Sequence, residues 1–398
     1  VTARRSRDEH FIKEFIMIKK YYLLSPGPTP VPERALSAAA EPIFHHRTPE
    51  FSALFMEVTE GIKYVFGTKE DAYILTSSGT GAMETAVVNL LSPGDKVLTI
   101  NGGKFGERWG NICKAYGVAY KEIVLDPWGK DLAKEELEAE LKAMPDCKAV
   151  FATLSETSSG AMFDIQGFGE VVAKTPAVLV VDGISGAGVT PCPMDDWKVD
   201  VFLSGSQKSF MIPPGLAFIA LSPKAWALAA NAKLPKFYFD LKKAKKNLAD
   251  KTTPWTPGIT LIVQQKHALD MIKKMGLDGL FTHHKVLGDA TRAGVKALGL
   301  ELLPQRPGNV LTCCKVPEGV EGGKLVKTMQ GKYMAYIAGG QEPYKGKIFR
   351  IAHLGYMGGF DIMTAISALE MTLMDLGYKF EAGAGIKAAQ AVLKENWQ

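Results

Sequence analysis

Cysteine is scarce in this 398-residue chain, and what there is of it is not arranged to pair or to ligate. Cys113, Cys147, Cys192, Cys313 and Cys314 are odd in number and show no CxxC spacing. That argues against a disulfide framework and against a metal site, and it suits a reducing cytosol. Long apolar runs are missing too; none reaches the roughly 20 residues of a membrane-spanning helix. Nor is one charge in excess: 47 Lys and Arg against 42 Asp and Glu leave a formal charge of +5, dispersed along the chain. A nucleic-acid footprint is not indicated. The densest basic cluster, Lys242-Lys243-Ala244-Lys245-Lys246, reads as a solvated helix face.

What is present is ordinary globular composition, 46% hydrophobic and 22% charged, at a length that favours a large core and two domains. The first 16 residues mix Arg4, Arg5 and Arg7 with Asp8, Glu9 and Glu14. Acids of that kind do not belong in a transit peptide, so a docking or frayed arm upstream of a start at Met17 is expected.

The run from Val199 to Phe210 delivers one lysine, Lys208, from an apolar strand into a turn of small polar residues. An amine placed there is desolvated and kept partly neutral, as imine formation with a carbonyl requires; a surface charge is the plainer alternative. Upstream, Ala177-Val178-Leu179-Val180-Val181-Asp182 is a continuous apolar run closed by one carboxylate. Strands buried on both faces read this way, and ligands gather at their carboxyl ends. Asp182 and Lys208 would then share one rim of a sheet, the minimum pairing for pyridoxal phosphate: an acid for the ring nitrogen and an amine for the aldehyde. A strand-end turn aspartate is the alternative for Asp182.

The remaining landmarks alternate strands with helices, which implies a mostly parallel α/β sheet. Pro26, Pro28 and Pro30 hold a rigid lead-in loop. Arg47 precedes an amphipathic helix carrying Phe51, Leu54, Phe55 and Val58, where it could grip an anion bidentately. Strand Ala72–Leu75 leads through Ser78-Gly79-Thr80 into a helix, and free N–H groups with the positive end of the dipole make that turn an anion site. Strand Lys96–Ile100 leads to Phe105 on a glycine-flanked loop, where an aromatic can lie on a cofactor ring. Strand Ala149–Leu154 ends in a hydroxyl cluster holding Thr157, and Leu216–Leu221 follows Lys208. Thr252 to Pro257 breaks the chain before a long helix through Met275. The expected division is an arm over 1–22, a large domain over 23–257, and a linker helix with a small α+β domain over 258–398. Strands are expected there at Asn309–Val316, Tyr333–Ile337 and Ile348–Ile351. Arg350 is a charge inside the last of these, a candidate carboxylate clamp or one half of a structural ion pair.

Taken in order, SPGP, SSGTGAMETA, NGGKFGER, SETSSG, VVDG, SGSQK and KIFRIA resemble the class V aminotransferases of the fold-type I pyridoxal phosphate superfamily, in the alanine-glyoxylate and serine-pyruvate group. The resemblance runs from about Tyr21 onward. It implies that Lys208 bonds the cofactor aldehyde and later shuttles the proton, and that Asp182 keeps the ring nitrogen protonated. It further implies that Phe105 stacks on the ring, that Ser78, Gly79, Thr80 and Gln207 hold the phosphate, and that Thr157 contacts the ring hydroxyl. Arg350 would bind the substrate carboxylate, with Gly27 beside the substrate. Thr256 would reach the phosphate of a second copy, making a homodimer with active sites at the interface.

The activity so implied is ping-pong transamination from alanine or serine to glyoxylate or pyruvate. His46-Arg47 resembles the pair that phosphoserine aminotransferases use for an acidic side chain, so phosphoserine with 2-oxoglutarate is the competing substrate pair. Two other classes share the fold. A cysteine desulfurase would need a mobile cysteine, whereas Cys313 and Cys314 sit in a strand-like core run; a non-catalytic accessory subunit would keep the fold without turnover.

Overall fold

The computed structural model describes residues 18–397; the arm expected over the first residues lies, up to residue 17, outside them. A seven-stranded sheet forms the centre of the large unit. Its strands in chain order are β1 (Ala72–Thr76), β2 (Lys96–Asn101), β3 (Ala119–Val124), β4 (Ala149–Thr153), β5 (Val178–Asp182), β6 (Val201–Gly205) and β7 (Leu216–Leu221). Their spatial order is β1-β7-β6-β5-β4-β2-β3. All neighbours from β6 to β3 are parallel, while β7 runs antiparallel to both β6 and β1.

The apolar runs become the strands that helices cover on both faces: every residue of β4, β5, β6 and β7 is buried, as a parallel interior demands. Phe151 of β4, Phe202 of β6 and Phe218 of β7 fill that interior. Strand β3, which no apolar run announced, is one of the two sheet edges, and none of its residues is fully buried.

Helix Pro49–Phe66 starts where the Thr48 hydroxyl accepts the Phe51 N–H at 3.3 Å, and it buries Phe51, Phe55, Val58 and Ile62. It packs on helix Ile259–Met275, so that Ile259, Ile262 and Leu269 join the same apolar core. A second core gathers Leu24, Val189 and residues from Leu287 to Leu393 around an antiparallel sheet of β8 (Leu311–Lys315), β9 (Ala338–Gly339) and β10 (Ile348–Ala352), in the order β8-β10-β9. The strand expected at Tyr333–Ile337 narrows to Ala335–Tyr336 and pairs instead in parallel with Tyr22–Leu23. The chain that leads to the proline-rich loop is thereby stitched to the second core.

Candidate active site

Asp182 ends β5 in register with Thr153 of β4 and Leu203 of β6, so the rim predicted from two separate apolar runs is one physical edge. Lys208 follows three residues after β6 ends, in the loop that returns as β7. The loop is fixed at several points. Ser206 donates its N–H to Leu216 O at 2.9 Å, and Thr29 donates twice, from N–H to Gln207 O at 3.1 Å and from its hydroxyl to Lys208 O at 2.9 Å.

A cavity of about 250 Å³ opens at this rim, walled by Gly27, Ser78, Gly79, Thr80, Phe105, Thr157, Asp182, Gln207 and Lys208, together with Arg108, Ser155, Ile184 and Ser185. A larger apolar hollow of about 630 Å³ beneath Met211, Met271 and Tyr356 shares none of these residues. The smaller cavity holds the reactive groups, so chemistry rather than size selects it.

The electrostatics follow from burial. Loss of water pushes the Asp182 carboxyl up to about 7, against the Ile184 N–H that bonds its Oδ1 at 2.7 Å. Glu156 adds to the rise, while Arg108 and Lys208 oppose it. Desolvation also depresses the Lys208 amine to about 8; Asp182 works against that, and the charges of Arg350 and Arg108 reinforce it. The amine donates to Pro26 O. Gly27, at φ +124°, comes so close that a Cβ there would stand 2.4 Å from Lys208 Nζ.

Arg350 is buried in β10 and lies behind the cavity wall. Nη1 donates to Thr157 O at 2.7 Å, and Nε and Nη2 donate to Gly339 O at 3.1 and 2.6 Å. The structural ion pair is not what is found: its partners are carbonyls, and among the described residues it has no carboxylate within pairing distance. Two expected residues stand apart from the cavity of their own chain. Arg47 donates to the Thr252 hydroxyl and, at 2.8 Å, to Thr253 O. Thr256, three residues on, is exposed. Cys313 and Cys314 are buried within β8, and burial pushes the Cys313 thiol up to about 12, the opposite of what a nucleophilic cysteine requires.

Two residues within the quoted motifs had been given no role. Glu156 is fully buried, and its carboxylate accepts from the N–H groups of Phe105, Gly106 and Ser158 at 3.1, 2.8 and 3.0 Å and from the Ser158 hydroxyl at 2.6 Å. It caps helix Lys104–Ala115 from a different segment; Phe105, expected on a glycine-flanked loop, sits instead in the first turn of that helix. Arg108 donates to the Thr80 hydroxyl at 3.0 Å and lies 5.0 Å from the Phe105 ring centroid. An acid and a base inside glycine- and hydroxyl-rich strand ends were the available signals.

The wall suits a phosphorylated pyridine. Gln207 stands on the wall, and the helix Gly79–Leu90 opens on the cavity with no side-chain cap on its first N–H groups. At Gly79 a Cβ would meet Ile184 Cδ1 at 2.5 Å, so only glycine lets the backbone lie against that wall. With an ionisable acid and a depressed lysine on the rim of a mostly parallel sheet, fold and site together define a fold-type I pyridoxal phosphate-dependent enzyme. Residues 21–342 match the family described as "Aminotransferase class-V".

The chain belongs to that family, and the enzyme is a transaminase. It is 44% identical over 382 residues to a protein named the small subunit of a soluble hydrogenase from a Synechococcus strain, covering 95% of this chain and 99% of that one. It is 36% identical to the L-aspartate–glyoxylate aminotransferase of Paracoccus denitrificans, over 92% of this chain and 94% of the relative. With the serine–glyoxylate aminotransferase of Methylorubrum extorquens it shares 35% identity, over 94% and 96%. Among solved structures, the ureidoglycine–glyoxylate aminotransferase of Bacillus subtilis superposes with a TM-score of 0.89 at 26% identity, covering 96% of this chain and all of that one.

Proposed function

We propose that this transaminase takes its amino group from alanine or serine and passes it to glyoxylate or pyruvate. The observation that carries the reading is the pairing, across one cavity about 250 Å³ in volume, of a depressed lysine and a raised buried aspartate. Bound pyridoxal phosphate would supply an electron sink for the substrate's alpha carbon. Ser78, Thr80, Gln207 and the opening N–H groups of helix Gly79–Leu90 would hold its phosphate, Phe105 its ring face, Thr157 its ring hydroxyl and Asp182 its ring nitrogen. Lys208 would hold the cofactor between turnovers and, once displaced, carry the alpha proton at Nζ.

Arg350, buried and, among the described residues, bonded to carbonyls, is the proposed seat of the substrate carboxylate, beside Gly27. We further infer a cytosolic homodimer in which Thr256 reaches the partner's phosphate; its exposure, away from its own cavity, supports this. The phosphoserine alternative, in which Arg47 reads an acidic side chain, would likewise need Arg47 to act across the interface. Serine and glyoxylate stand in the name of one relative and aspartate in that of another.

A second reading, a non-catalytic accessory subunit, is favoured by the hydrogenase-subunit name of the Synechococcus relative. The joint retention of Lys208, Asp182 and Arg350 argues against it. A half-reaction separates these readings: the visible band of the loaded protein is followed as alanine, serine, aspartate and phosphoserine are added singly. Bleaching by alanine or serine supports the proposal; bleaching only by aspartate or phosphoserine moves it to acidic donors. No bleaching with any of them favours the accessory subunit.

A further inference from the structure

Two cations stand on the cavity wall, Lys208 and Arg108. Lys208 has its own work at the aldehyde, and its amine is turned to Pro26 O. Arg108 spends one N–H on the Thr80 hydroxyl, at 3.0 Å, and among the described residues it forms no ion pair. A guanidinium presents five donors in a rigid fork, so most of its capacity is uncommitted.

The phosphate seat is short of charge. A phosphate monoester carries roughly −1.5 to −2 at neutral pH, whereas a helix N-terminus offers about half a positive charge. Ser78, Thr80 and Gln207 are neutral. Arg108 is the wall's remaining cation, and it is bonded to the very hydroxyl, Thr80, that opens helix Gly79–Leu90.

We propose that Arg108 is the counter-ion of the cofactor phosphate, pairing with it over Thr80 while the same guanidinium braces the Phe105 ring. Phe105 and Arg108 stand three residues apart on helix Lys104–Ala115 and so face the same way. Glu156 ties the start of that helix to the end of the central sheet. The guanidinium is thus presented from a rigid element. Its charge also reaches the catalytic rim, where it favours the ionised Asp182 and the neutral Lys208 amine.

The inference rests on the cofactor reading above, and one titration tests the two separately. Dissociation constants for pyridoxal phosphate and for pyridoxal, which lacks the phosphate, are measured on the cofactor-free wild type, Arg108→Gln and Arg108→Lys. Circular dichroism checks that each is folded. The expected result is a weakening of about tenfold or more for pyridoxal phosphate in Arg108→Gln, the range for losing a charged hydrogen bond. Arg108→Lys should restore part of it, and pyridoxal binding should not change. Equal weakening of both ligands would overturn the proposal, because Arg108 would then act only through Phe105 or the fold. Unchanged affinity for both, with a raised KM confined to aspartate, would overturn it in favour of a contact to an acidic donor. If the wild type bound neither ligand, the cofactor reading itself would fall.

Discussion

Gly27 and Lys208 occupy nearly the same space: a Cβ at Gly27 would stand 2.4 Å from Nζ and 2.5 Å from both Cδ and Cε of the lysine. The φ of +124° at Gly27 is one that side chains avoid. We therefore predict that Gly27→Ala displaces the Lys208 amine. Cofactor occupancy, read from the visible band at fixed pyridoxal phosphate, should fall several-fold or more. Unaltered occupancy and turnover would show that the contact constrains nothing.

The depressed Lys208 amine makes a prediction about rate. Only the neutral amine attacks an aldehyde, and its midpoint lies at about 8, below the 10.4 of an ordinary lysine. Capture of pyridoxal phosphate by the cofactor-free protein should quicken as pH rises and level off above about 8. A rate still climbing at pH 10 would refute the depression. Lys208→Ala should form no such band and lose turnover by about a thousandfold or more.

Asp182 has the opposite signature, on stability. Its carboxyl is raised from 3.8 to about 7 by burial, so the folded chain holds this proton more tightly than the unfolded one. Its contribution is complete below pH 3.8 and is lost as pH rises through about 7. The melting temperature of the cofactor-free wild type, measured against Asp182→Asn, should fall across that window. A flat difference would place the proton elsewhere.

Arg350→Gln removes the charge but keeps most of the volume. If the guanidinium seats the substrate carboxylate, kcat/KM for the donor should drop about tenfold to a hundredfold. Pyridoxal phosphate affinity should hold. A loss of cofactor affinity with KM untouched would instead assign Arg350 to the wall that Thr157 forms.

Glu156→Gln turns an acceptor-only carboxylate into an amide whose NH2 must replace either Oε2, facing the N–H groups of Phe105 and Gly106, or Oε1, facing the N–H and hydroxyl of Ser158. Denaturant unfolding should show a loss of about 1–3 kcal/mol, accompanied by weaker cofactor binding as Phe105 loosens. Wild-type stability in this variant would mean that the carboxylate is not what fixes the start of that helix.

Lys208 and Asp182 were legible in the sequence because each is the charge that follows an apolar run, Asp182 at its end and Lys208 in the polar turn after it, and a buried parallel strand writes itself as such a run. Gly79 and Phe105 were legible for a related reason: strand, glycine turn and helix follow one another without interruption. Strand β3 was not, because as an edge it mixes Tyr120, Lys121 and Glu122 with apolar residues and buries none fully. Two partners of Glu156, Phe105 and Gly106, lie 51 and 50 residues away, and Arg108 meets Thr80 across 28. Such contacts arise only when separate strand ends are brought to one rim. The exchange of Tyr333–Ile337 for a pairing with Tyr22–Leu23 has the same origin, since no local pattern names a strand's neighbour.

The loop bearing Lys208 is closed at both ends by paired strands and held in the middle by Thr29. On the proposed role of that lysine, its backbone stays put while the amine travels. The stroke is then a rotation about side-chain bonds, with no movement of the loop itself. Proton transfer at this position need not wait for the microsecond motions of a lid. The clock of the enzyme would be set by chemistry or by the departure of product.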